Sequence, residues 1–176
     1  MTTRVLRTER RFGSEHLQRV ARSLLDAAPT CALSTTAAGG RAYINTMYFA
    51  HTSPWNLVWI SAPDSRHSRN IRERDAAAIA VYDSNQRWGG QDRGVQIFGR
   101  ASELRGRPAQ EALNAYAERF ARDERVLSRY VAYRLRPSSL KLFDEAEFGA
   151  GTFVSVRVRR DGTLDWQHTE EYRDPT

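Results

Sequence analysis

Apolar residues recur along the chain in two rhythms. Between Ser14 and Ala27 they fall at Leu17, Val20, Ala21, Leu24 and Leu25, the spacing of an amphipathic helix, with Ser14 as its expected N-cap and Pro29 just past its end. Beyond Pro29 the runs shorten and become rich in β-branched and aromatic residues. Strands are predicted over 30–36 and 41–50, joined by the Ala37-Ala-Gly-Gly40 turn, then over 55–60 after a turn at 52–54, and over 76–82 and 94–104 on either side of the polar loop 83–92. A helix is expected from Pro108 to about Arg122, with Ala109, Ala112, Leu113, Tyr116, Ala117 and Phe120 on one side, and a further helical turn over 124–129. Strand character returns over 130–143, interrupted by Pro137, and over 152–158. Asp161-Gly162 then sets a hairpin within 159–166, and the polar tail from Gln167 is expected to be loose.

Six or seven strands with few helices and short connections indicate a mainly β, α+β chain built on a β-barrel or compact antiparallel sheet. The connections are too short for a doubly wound sheet, and neither a GxGxxG turn nor a Walker loop occurs.

Composition narrows the function classes. The 176 residues suffice for one domain with its own core. No apolar run approaches a membrane span, the charged N-terminus lacks a signal-like apolar region, and Cys31 is the only cysteine. A cytoplasmic protein without a membrane partner is the expectation. The net charge of +6 would suit nucleic acid. However, Lys141 is the only lysine, the arginines are interleaved with acids, and no basic block carries aromatics. No nucleic-acid partner is expected.

Metal-ligand spacings and a GxSxG elbow are absent. His16 is expected to be solvated on the first helix, and His168 lies in the tail. Asp144, Glu145 and Glu147 are read as a solvated cluster at a strand end. The tryptophans are read as core or interface residues. Trp88, in the Gly-rich loop, is placed to cover a ligand.

The segment Ser61-Ala-Pro-Asp-Ser-Arg-His-Ser-Arg-Asn-Ile71 holds the densest chemistry. It follows the predicted 55–60 strand and enters a short helix read over 68–74. Ser61, Ser65, Arg66 and His67 therefore stand where a strand hands over to a helix N-terminus. Hydroxyls, a guanidinium and free backbone N–H groups at such a junction suit a phosphate monoester. A Ser-capped surface helix with solvated arginines would carry the same residues.

The order of helix, hairpin, strand, Ser65-Arg66-His67 turn, strand and Gly99-Arg100-Ala101 strand resembles the pyridoxamine 5′-phosphate oxidase-like family of FMN-binding split-barrel proteins. The resemblance runs from about Leu17 to Trp166. It is carried by 32–40, 60–71, 94–101, and 143–149 with Trp166. It implies a single split-barrel domain over 1–176, with a core at about 17–166 and peripheral tails at 1–13 and 167–176. It also implies a homodimer with FMN in the dimer groove, and hydride exchange between the flavin and a small-molecule substrate.

Residue by residue, 44–49 matches the strand that lies along the flavin ring, with Asn45, Thr46 and Met47 as contacts. Ile60, Ser61, Ser65 and Arg66 match the phosphate-gripping segment, and His67 stands where the family has lysine. The two basic positions of a pyridoxamine oxidase fall here at Asn45 or Thr46 and at Ala50 or His51, a departure that weighs against oxidation of pyridoxamine phosphate itself. The flavin-contacting glutamine falls near Gly94, with Gln96 as the available substitute. His51 and Tyr48 are the candidates for substrate chemistry. Relatives with the same barrel use a deazaflavin. A further alternative is a non-catalytic flavin- or haem-binding protein, and haem would need His51 or His67 as axial ligand.

Overall fold

The computed structural model describes residues 2–52, 54–120, 127 and 129–173. The chain is mainly antiparallel β-sheet with four α-helices among the described residues, the split-barrel α+β class expected. It divides into two compact units, one drawn from 1–28, 80–97 and 138–176, the other from 29–79 and 98–137. The division falls inside three strands, β6 (Ala76–Tyr82), β7 (Arg93–Glu103) and β8 (Val131–Asp144).

In the first unit, α1 (Ser14–Ala27) buries Leu17, Val20, Ala21, Leu24 and Leu25, the face its periodicity marks. Its cap is Gly13, whose carbonyl accepts from Leu17 N at 3.0 Å. Ser14 is instead the first helical residue, and its hydroxyl accepts from Gln18 Nε2. β1 (Arg4–Thr8) pairs with β10 (Leu164–Arg173), and β10 pairs in turn with β9 (Thr152–Val158). β9 then meets the second half of β8, where Leu140 opposes Val156 and Leu142 opposes Val154, all buried.

The tail from Gln167 to Arg173 is therefore strand rather than loose chain. Backbone pairing on both sides holds it, and Thr169, fully buried, donates to the Arg10 carbonyl at 2.6 Å. Residues 174–176 lie outside the described residues.

Asp144 is not solvated. It is 4% exposed, caps α4 (Glu145–Phe148) by accepting from Ala146 N, and pairs with Arg93 at 3.1 Å. Glu147 remains at the surface, where it holds His16 at 2.8 Å.

In the second unit, β2 (Thr30–Thr36) and β3 (Ala42–Tyr48) form the expected hairpin, with Leu33 opposite Asn45. Gly39 and Gly40 turn it at positive φ. The strand expected over 41–50 breaks at Phe49, whose N–H donates to the Pro29 carbonyl, and resumes as β4 (Ala50–Thr52). The expected turn at 52–54 includes Ser53, outside the described residues.

β4 pairs with β5 (Asn56–Ser61), and β5 pairs with the first half of β8. Trp59 stacks on Tyr133 there, both fully buried. On the other face of these strands α3 (Gly106–Phe120) sets Ala112 and Tyr116 against Ala50, Val58 and Ala132. The expected end of this helix at 121–122 lies outside the described residues, as does most of the turn expected over 124–129.

Pro137 sits inside a continuous β8. A Cβ on Gly99 would stand 2.1 Å from the Arg136 carbonyl oxygen, so β7 crosses close to the β8 backbone only because residue 99 has no side chain.

Candidate functional site

The strand-to-helix junction forms as expected, with its helix two residues earlier: α2 spans Arg66–Glu73. Ser65 is the N-cap, and it fixes this start by accepting from Ser68 N at 3.3 Å. A relay of hydroxyls runs through the junction. Ser61 Oγ at the end of β5 donates to Ser65 Oγ at 3.3 Å, Ser65 Oγ donates to Ser68 Oγ at 2.7 Å, and Ser68 Oγ donates to the Ala62 carbonyl at 2.9 Å.

His67, 9% exposed, turns its ring to the same serine, with Nε2 3.2 Å from Ser65 Oγ. Burial pushes its pKa below the ordinary histidine value. At neutral pH His67 is thus an uncharged imidazole buttressing Ser65, not the cation that a lysine would be there.

Two residues absent from the sequence-based set hold the turn. Arg69 donates to the Asp64 carbonyl, and Arg72 donates to the Pro63 carbonyl at 2.6 Å while pairing with Glu103 at 3.2 Å. Both bind carbonyl oxygens, so the N–H side of the turn faces away from them. A third, Asn70, donates to Thr35 Oγ1 at 2.9 Å with both residues buried, which ties α2 to β2. The three-residue spacing of Arg66, Arg69 and Arg72 on the helix was the available signal for the arginines.

Arg66 is exposed, and its guanidinium lies 5.3 Å from the centre of the Tyr43 ring. Tyr43 shares a half-buried face of β3 with Asn45 and Met47, whereas Thr46 lies on the opposite, exposed face with Ile44 and Tyr48. Of the three ring-strand residues, two side chains therefore share the face of the Arg66 contact, and Thr46 offers only backbone to it. Ile60 packs against the α3 cluster. Gln96 belongs to the first unit, where it is exposed on β7. His51 sits in β4, half-buried, and Tyr48 meets Phe120 edge-on at 5.4 Å.

The donor set at the junction suits an anion: two hydroxyls, one guanidinium, and the first N–H groups of a helix. Among the described residues no group of three or more His, Cys, Asp or Glu could hold a metal ion. Cys31 is buried, and desolvation outweighs the charge of Arg119 and pushes its thiol up to about 12, so it is no nucleophile. Trp88 stands fully exposed in the first unit's 83–92 loop.

The sequence profile of the pyridoxamine 5′-phosphate oxidase family matches residues 17–144. No curated protein matches the sequence. Several solved structures share its fold. The conserved hypothetical protein Rv2991 of Mycobacterium tuberculosis is 19% identical, with a TM-score of 0.62 over 74% of this chain and 86% of that one. The haem storage protein HutZ of Vibrio cholerae is 18% identical, with a TM-score of 0.64 over 72% and 94%. A haem-binding protein of Mycobacterium smegmatis is 18% identical, with a TM-score of 0.68 over 85% of this chain and 60% of that longer one.

Proposed function

The chain belongs to the pyridoxamine 5′-phosphate oxidase family, and from this premise we propose that it is an FMN-dependent oxidoreductase that grips the cofactor's phosphate at the Ser65–Arg66 junction. The observation that carries the reading is the N-cap itself. Ser61 and Ser65 hydroxyls, the Arg66 guanidinium and the opening N–H groups of α2 stand together where a phosphate dianion is favoured. Arg69 and Arg72 hold the turn by its carbonyls, which keeps this cradle rigid before the anion arrives.

When bound, the flavin supplies hydride chemistry. The chain supplies position: Tyr43, Asn45 and Met47 present one face of β3, and Arg66 is parked against Tyr43. His67 fits the junction as an uncharged hydrogen-bond partner of Ser65 rather than as a direct phosphate cation. His51 and Tyr48 remain the candidates for the substrate half-reaction.

The same reading makes the protein a homodimer. β3 is the last strand in its sheet order, and Ile44 and Tyr48 are exposed on its outer face, apolar area that a second copy would cover. Among the described residues no helix is long and apolar enough to cross a membrane. With its one thiol free and buried, the chain suits the cytoplasm.

Haem is the second reading, favoured by the likeness to haem-binding structures. Of its two candidate ligands, His67 is buried with its ring on Ser65, a poor fit to an iron. The absorption spectrum of the purified protein separates the readings. Flavin bands, or their appearance on adding FMN, are expected. A Soret band that FMN does not displace would overturn the proposal, as would binding of a deazaflavin with no binding of FMN.

A further inference from the structure

The second unit contains a cavity of about 130 Å³ between α3 and strands β4, β5 and β8, away from the Ser65 junction. Arg134 is its cationic wall. The Nε of Arg134 is buried and has no hydrogen-bond partner, and no carboxylate pairs with its guanidinium among the described residues. Burial, and secondarily the charge of Arg136 on the same strand, push Arg134 below the usual arginine range. A half-buried, unpaired guanidinium is costly and is relieved by an anion placed against the part of it that lines the cavity.

The rest of the lining restricts which anion. Thr52 and Asn56 bring a hydroxyl and an amide, and Val58 and Leu104 form apolar wall. Glu111 brings a carboxylate that makes an exposed pairing with Arg107 one turn away, at 2.8 Å. Such a surface pair is weak enough to yield to another donor. Glu111 would repel a dianion and accept from a hydroxyl or ammonium group. A cavity of 150 Å³ holds benzene, so this one takes roughly five or six non-hydrogen atoms.

We propose that this cavity binds a short monocarboxylate bearing a hydrogen-bond donor, a hydroxy or amino acid, with its carboxylate on Arg134 and its donor on Glu111. The site is independent of the flavin reading, because none of its residues belongs to the phosphate junction.

Calorimetric titration of the whole protein with L-lactate tests it, with acetate and inorganic phosphate as comparisons. Lactate is expected to bind saturably and about tenfold tighter than acetate, which lacks the donor, with phosphate weaker than both. Arg134→Gln should weaken lactate by roughly 10- to 150-fold, the loss of a charge-assisted contact. The surface change Glu111→Gln leaves the fold intact and should bring lactate and acetate to within about threefold of each other. No saturable lactate binding to the wild type would overturn the proposal. So would lactate affinity unchanged in Arg134→Gln, or a lactate preference undiminished in Glu111→Gln. Retained flavin binding alongside any of these results would leave the phosphate junction standing.

Discussion

Ser65 does two jobs, and one substitution separates them. As N-cap of α2 its oxygen accepts from Ser68 N at 3.3 Å, and as part of the junction it stands among the groups assigned to a phosphate. Aspartate caps helices about as well as serine, so Ser65→Asp should hold the stability of the fold to within about 0.5 kcal/mol. Ser65→Ala removes the cap and should cost about 1 kcal/mol. For phosphate binding the order reverses. A carboxylate at position 65 faces the incoming dianion at about 4 Å, where one pair of like charges at an effective dielectric of about 20 repels by roughly 4 kcal/mol. That is about three decades of affinity, whereas Ser65→Ala gives up one charge-assisted hydroxyl contact of roughly 1.5–3 kcal/mol, one to two decades. Urea unfolding reads the first quantity, and quenching of flavin fluorescence during titration reads the second. A Ser65→Asp protein that folds as stably as the wild type and holds FMN as tightly would refute the placement of the phosphate at this junction.

Arg66→Ala should weaken FMN by roughly 10- to 150-fold, the value of one charge-assisted bond, and equilibrium dialysis checks it. His67 carries a folded-state pKa below its unfolded value of about 6.5. The unfolded chain therefore takes up the proton first as pH falls. Stability from this residue is complete above pH 6.5 and is lost progressively below it. His67→Gln should flatten the fall in unfolding free energy between about pH 6.5 and 5, and an unchanged slope would show the ring to be accessible and ordinary. Asn70→Ala breaks a buried bond and strands the Thr35 hydroxyl, at about 1–3 kcal/mol by urea unfolding. Adding Thr35→Val should recover part of that loss, since the two residues form one interaction.

The elements legible in the sequence are those whose apolar spacing faces a core. The Leu17-Val20-Ala21-Leu24-Leu25 stripe and the alternation of β9 stand in the structure where the pattern puts them. β1 and the outer half of β10 were illegible because their side chains are mostly polar or exposed. Val5 and Leu6 point to solvent, and backbone pairing rather than burial holds both strands. Asp144 was misread for a related reason. Its burial depends on Arg93, which is remote in sequence, and no local pattern announces such a pair.

At the candidate site, the serine and arginine content of the junction was readable. The neutral state of His67 and the carbonyl clamps of Arg69 and Arg72 were not, because both depend on where the turn's backbone points. Alternation along β3 could have told Thr46 from Asn45 and Met47, since neighbouring residues of a strand face opposite sides.

The phosphate grip is tested most directly by the ratio of affinities for FMN and riboflavin, which differ only in the phosphate. With two charge-assisted contacts at the Ser65–Arg66 junction, FMN should bind roughly 10²- to 10⁴-fold tighter than riboflavin when both are titrated into the same apoprotein. Equal affinities would contradict the account, because the residues it rests on would then contribute nothing to holding the cofactor.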